Sequence, residues 1–205
     1  MITIIDYGVG NLFSLQSSFR ALNIETCVSG DPAVLAKADK LVLPGVGAFR
    51  DASEKLFSSG LSDLIRQKAA EGTPLLGICL GMQMLFEKSY EYGEYQGLSL
   101  LKGEVRPIAE AIPKDLKIPH IGWNALIYPK DRARHPLFAE LPENPYVYFV
   151  HSYHAVKCED SLIASTEYGA SLTAAVASKN VMGCQFHPEK SGDVGLSILR
   201  AFCSI

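Results

Sequence analysis

The chain has no apolar run close to the roughly 20 residues that cross a bilayer, no dense cluster of Lys and Arg, and no low-complexity tract. With 19 basic against 22 acidic residues and a net charge of -3, it lacks the basic footprint of a nucleic-acid binder. A membrane anchor and a nucleic-acid partner are both set aside on these grounds. Cysteine is sparse: the five stand at 27, 79, 158, 184 and 203, an odd number without C-x-x-C spacing. That count excludes a disulfide framework, argues against a zinc site, and favours a reducing, cytoplasmic setting. The opening MITIIDYG has no basic region followed by an apolar stretch and a small-residue cleavage site. It is expected to be a first strand, not a signal peptide.

What is present is a chain of 205 residues, 48% of them apolar, long enough for one domain with a real core. The first half alternates short β-branched or apolar runs (2–7, 25–29, 40–45 and 74–79) with segments of helical spacing (12–22, 48–58, 61–71 and 80–88). Strands alternating with helices predict βαβ units and a parallel sheet covered on both faces. The second half packs strand candidates closely, at 104–108, 123–128, 146–156, 162–168, 171–180 and 181–187, before a last helix near 192–203. The expectation is one α/β domain, 1–205, whose sheet begins parallel and becomes mixed.

Gly77-Ile78-Cys79-Leu80-Gly81 places a cysteine where an apolar strand runs into a helix, the setting of a nucleophile elbow. Glycines two residues on either side let backbone approach a residue held in strained geometry. The N–H groups at the helix start favour thiolate over thiol. Alone, the same residues equally describe a small buried cysteine at a strand end. A nucleophilic cysteine needs a base, and the base an orienting group. His187 ends an apolar strand, Pro188 restricts it, and Glu189, two residues on, faces the same side in extended geometry. Acyl transfer also needs donors for an oxyanion. Pro44-Gly45-Val46-Gly47 ends another buried strand, so the amides of Val46 and Leu80 converge at the sulfur if strands 41–43 and 75–78 are neighbours.

GICLGMQ, FHPEKS and PGVG together resemble the class I (triad) glutamine amidotransferases, over nearly the whole chain. DYGVGN, Met82, PHIGWN, YFVHSY and HPEKS resemble one branch of that family, the glutaminase subunits of imidazole glycerol phosphate synthases. The resemblance implies a single-domain, flavodoxin-like α/β fold with a mixed central sheet flanked by helices, and no cofactor or metal. It implies Cys79, His187 and Glu189 as the triad, Gly45, Val46 and Leu80 at the oxyanion site, and Gln83 and Glu91 holding L-glutamine. Asn11, Trp123, Tyr148 and Lys190 fall on a face that meets a (βα)8-barrel cyclase, the acceptor of ammonia through an internal channel. The branch further implies a subunit nearly silent until its loaded partner docks.

Other readings compete. A glutaminase for anthranilate or aminodeoxychorismate synthase usually has His where this chain has Met82. A cysteine peptidase or redox sensor would act without a partner, and a non-catalytic scaffold would not need the triad. DYGVGN fails as a dinucleotide loop because Phe13 stands where G-x-G-x-x-G requires glycine; Asn11 capping a helix explains it. His151 and His154, three apart on one strand, face opposite sides and make poor co-ligands. On the same period, Phe149, His151 and Tyr153 share a face.

Overall fold

The computed structural model describes residues 1–205. In chain order the first half runs β1 (Ile2–Ile5), α1 (Leu12–Ala21), β2 (Thr26–Ser29), α2 (Pro32–Leu35), β3 (Lys40–Gly45), α3 (Phe49–Ser58), α4 (Leu61–Ala70), β4 (Leu75–Cys79) and α5 (Leu80–Gln83). Two short strands, β5 (Lys88–Ser89) and β6 (Tyr95–Gln96), precede β7 (Glu104–Pro107), β8 (His120–Ala125), β9 (Tyr146–His151) and β10 (Tyr153–Val156). The chain closes with β11 (Leu162–Glu167), β12 (Ser171–Ser178), β13 (Val181–Cys184) and α6 (Gly192–Ser204).

The central sheet has seven strands in the order β11-β12-β13-β4-β3-β1-β2. From β2 to β13 every pairing is parallel, and β12 and β11 then add antiparallel. The expected change from parallel to mixed is therefore observed. Successive residues of a strand point to opposite faces, and both faces are covered. Ile5, Leu41, Leu43 and Leu75 join a core with α3 and α4. Ile4, Val42, Leu76 and Ile78 join a second core with α1 and α6. Burial on two sides is why these strands read as unbroken apolar runs.

Three segments differ from the sequence reading. The helix expected over 80–88 lasts one turn, Leu80–Gln83. The carbonyls beyond it are taken by the segment 97–101: Leu98 N–H donates to Met84, Ser99 to Phe86, and Leu100 and Leu101 to Leu85. Gly97 allows this approach, since a Cβ there would lie 2.2 Å from the Phe86 carbonyl oxygen. The strand expected at 123–128 starts earlier and is β8, His120–Ala125, paired antiparallel with β9. The run 146–156 is two strands in different sheets: β9 pairs with β8, and β10 pairs with β7. The period-2 arithmetic thus holds for Phe149 and His151, both buried, and stops at Ser152. The short four-strand sheet β10-β7-β5-β6 and the β8–β9 hairpin flank the carboxyl ends of β3 and β4, where open α/β sheets place their sites.

Candidate active site

β3 and β4 are parallel neighbours, with Pro44 opposite Ile78 and Gly45 opposite Cys79. The condition for PGVG to stand beside the cysteine is therefore met. Cys79 ends β4 with φ 55° and ψ -111°, a sparsely populated conformation for a residue with a Cβ. The turn is possible because its surroundings are glycine. A Cβ on Gly81 would lie 1.8 Å from the Leu43 carbonyl oxygen, and one on Gly77 2.7 Å from that of Gly81. Gly45 is equally enclosed: a Cβ there would stand within 3 Å of Tyr7 Oη, Gly81 N and Leu80 Cβ. Tyr7 Oη donates to the Pro44 carbonyl at 2.8 Å; burial, then the charge of Cys79, holds its hydroxyl far above the usual value. Because α5 is a single turn, favourable charge at the sulfur comes from a few local N–H groups and not from a long helix dipole.

His187 follows β13 and is buried. Its Nδ1 lies 2.8 Å from Glu189 Oε1; the 3₁₀ turn Pro188–Lys190 brings the two together, not the extended backbone expected from the sequence. Its other nitrogen remains for Cys79. Burial alone lowers the imidazole pKa, but hydrogen bonds and negative charge from Cys79 and Glu189 outweigh it and raise it to about 9. Both neighbours thus favour the protonated ring. Glu189 Oε2 has no partner within the protein. The backbone of His187 is clasped as well: its N–H donates to the Tyr148 carbonyl at 3.0 Å, and its carbonyl accepts from Ser191 Oγ at 2.7 Å.

Cys79 and His187 open into a cavity of about 350 Å³, lined also by Val46, Leu80, Gln83, Glu91 and Lys190. The residues expected to contact a small amino acid therefore converge, with one exception. Gly45 does not line the cavity; it is enclosed behind it, and Val46 and Leu80 face it. Gln83 is buried, and its Nε2 donates to the Tyr153 carbonyl at 3.2 Å and to Gln185 Oε1 at 2.9 Å. Only its side-chain carbonyl is left for a ligand. Glu91 accepts the Phe49 N–H at 2.6 Å. Burial raises its carboxyl, partly offset by that N–H, and Asp51 adds to the rise.

Of the four residues expected on a docking face, Trp123 and Tyr148 stand edge to face with centroids 6.0 Å apart, and Lys190 Nζ lies 6.0 Å from the Tyr148 ring centre. Trp123 is 52% exposed. Asn11 caps α1, its Oδ1 accepting from Ser14 N–H, and makes no hydrogen bond to the other three. His151 lines the catalytic cavity, whereas His154 lines a different one.

Sequence reasoning missed Gln185. It is fully buried, and its Nε2 lies 3.7 Å from Cys79 Sγ. The signal was no more than its place two residues before His187; the strand expected through 187 stops at Cys184, and Gln185 and Phe186 form a bend.

The chain matches the family model for glutamine amidotransferase class-I over residues 3–204. It is 50% identical to "Imidazole glycerol phosphate synthase subunit HisH" of Sulfurimonas denitrificans, covering 98% of this chain and 97% of the relative. It is 53% identical to the protein of the same name from Lactococcus lactis subsp. lactis, covering 98% and 96%. Among solved structures, a glutamine amidotransferase superposes with a TM-score of 0.75 at 19% identity, over 98% of both chains. A glutamine amidotransferase from Thermotoga maritima gives 0.62 at 20% identity, covering 99% of this chain and 82% of that one. At these identities the superpositions establish the fold.

Proposed function

The chain belongs to the class I glutamine amidotransferases, and on that premise we propose that it is the glutaminase subunit of an imidazole glycerol phosphate synthase. The observation that carries the reading is one cavity holding Cys79, a His187 whose imidazole is raised by Cys79 and Glu189, and the polar side chains of Gln83 and Glu91. Full-length relatives near 50% identity bear the synthase subunit name.

In this mechanism the Cys79 thiolate attacks the side-chain amide carbon of L-glutamine. The amides of Val46 and Leu80 receive the developing oxyanion. The C–N bond breaks as His187 passes its proton to the leaving nitrogen, releasing ammonia and a thioester. Water, deprotonated by His187, then attacks the thioester, giving L-glutamate and restoring the thiolate–imidazolium pair. Glu189 keeps the imidazole oriented and stabilises its charge. Gln83 and Glu91 hold the amino-acid end of the substrate.

The ammonia passes to a (βα)8-barrel cyclase docked over Trp123, Tyr148, Lys190 and Asn11, in a cytoplasmic heterodimer of histidine biosynthesis. Coupling hydrolysis to docking is physically sensible, since uncoupled ammonia is lost to solvent. Glutamate release measured for the chain alone, with the cyclase, and with cyclase plus its ligand tests the reading. Release should rise in that order and vanish in Cys79→Ala. Equal release in all three arms would overturn the coupling, and full activity in Cys79→Ala would overturn the nucleophile.

A further inference from the structure

Buried amides can be oriented by working through their hydrogen bonds from a group with only one role. The Tyr153 carbonyl is such a group: it only accepts, and it takes a bond from His151 Nδ1 at 2.9 Å as well as from Gln83 at 3.2 Å. Gln83 must therefore turn its NH2 towards it. The same NH2 lies 2.9 Å from the Gln185 side chain, which must answer with its oxygen, because two donors would repel. With the Gln185 oxygen fixed there, its NH2 has one direction left, and that direction is Cys79 Sγ at 3.7 Å. The Gln185 backbone is anchored separately, its N–H donating to the Ala174 carbonyl at 2.8 Å.

We propose that Gln185 is a positioning residue with two coupled roles: it presents an N–H donor to the Cys79 thiolate, and it fixes the Gln83 amide so that its carbonyl faces the substrate. This deepens the glutaminase reading and rests on it for the second role only. The Val150 carbonyl, 4.0 Å from the sulfur, can only receive a proton-bearing thiol. Gln185 supplies the opposite preference, since a hydrogen bond to an ionised acceptor is stronger than one to a neutral acceptor. Gln185 is fully buried, so its NH2 meets the sulfur from the protein side and not from the open cavity.

Two variants separate the roles. Gln185→Glu keeps the acceptor towards Gln83 and removes the donor to sulfur; Gln185→Leu removes both. Alkylation of Cys79 by iodoacetamide, followed by mass spectrometry of the labelled peptide, is measured against pH on the chain alone and with the cyclase bound. Both variants should alkylate about tenfold more slowly at pH 7, as expected for losing a hydrogen bond to a charged group, with the profile displaced to higher pH. In the coupled glutaminase assay, KM for glutamine should rise for Gln185→Leu and stay near wild type for Gln185→Glu, while kcat falls in both. Folded variants with wild-type alkylation profiles would overturn the proposal. Should neither variant fold, the wild-type Gln185 side-chain amide signal, followed by NMR, must move when Cys79 is methylthiolated; an unmoved signal overturns it equally. Alkylation needs no glutamine, so failure of the glutaminase reading would show as absent glutamate release with the alkylation result intact.

Discussion

Tyr148 grips His187 through backbone alone, its carbonyl accepting the His187 N–H at 3.0 Å. Ser191 completes the grip: its Oγ accepts the Tyr148 N–H at 3.0 Å and donates to the His187 carbonyl at 2.7 Å. An aromatic residue of the exposed strand pair and the proposed base thus share one set of bonds. Ser191→Ala leaves the half-buried Tyr148 N–H without its partner and should destabilise the fold by about 1 kcal/mol. In denaturant titrations the midpoint should fall, and in the coupled assay kcat should drop with KM unchanged. A variant as stable and active as wild type would show that the grip is incidental.

Glu189→Gln keeps a side chain of the same shape 2.8 Å from His187 Nδ1 but removes the charge. His187 loses one of the two neighbours that raise it, so kcat should fall by about 10²–10⁴-fold. NMR titration of the His187 ring should move to lower pH at the same time. A fall in kcat without that displacement would mean that Glu189 acts by orientation only.

The pH dependence of stability has a defined sign. His187 is raised to about 9 in the fold against roughly 6.5 unfolded, so its contribution is fully present below about 6.5 and lost as pH rises through about 9. His151 and His154 are lowered, to about 3 and about 4, first of all by burial. Their contribution is present above about 6.5 and lost as pH falls towards those values. Thermal melts should therefore show falling Tm on both sides of neutrality, and His187→Gln should flatten only the alkaline limb. An unchanged alkaline limb in that variant would contradict the assignment.

Gly45→Ala adds a methyl 2.8–2.9 Å from Tyr7 Oη, Gly81 N and Leu80 Cβ. Two of those three neighbours belong to the elbow, so the strain falls on the nucleophile's own turn. The expected loss of stability is about 1–3 kcal/mol, with glutamate release reduced at least tenfold. Tyr7→Phe in the same background removes the nearest oxygen and should recover part of the activity; no recovery would place the strain elsewhere.

Trp123, half-exposed and braced edge to face against Tyr148, has the character of an interface anchor. Trp123→Ala should weaken binding of the cyclase by about 2 kcal/mol or more, read by calorimetry. Alkylation of Cys79 in the isolated chain should be unaffected. Undiminished affinity would move the docking face away from the hairpin.

Much of this was legible in the residues. The buried parallel strands show themselves because two-sided burial leaves long apolar runs; His187 and Glu189 are partners as expected, but through the 3₁₀ turn Pro188–Lys190 and not through extended backbone. What escaped depended on distant partners. Residues 84–88 carry a helical pattern, yet the carbonyls of 84–87 are claimed by 97–101 and Lys88 pairs into the small sheet. Residues 146–156 read as one strand because nothing local marks a change of sheet at Ser152. Gln185 escaped because a polar residue at a strand end looks solvated until the fold closes over it, and Gly45 looked like a cavity wall until its enclosure by Tyr7 and Leu80 was visible.

The division of 146–156 at Ser152 has a mechanical consequence. On one side of this single residue the chain belongs to the hairpin that carries Trp123 and Tyr148; on the other it belongs to the sheet of β5, β6 and β7. Val150, whose carbonyl lies 4.0 Å from the Cys79 sulfur, is the penultimate residue of β9, and Tyr153, holding Gln83, opens β10. Ser152 is therefore a pinned joint: its carbonyl accepts the Ile108 N–H at 2.9 Å, and the strand pair before it is tied to β11 by Asn124 on the Glu167 carbonyl and Thr166 on the Ala125 carbonyl, so the two sides of Cys79 are braced from different sheets.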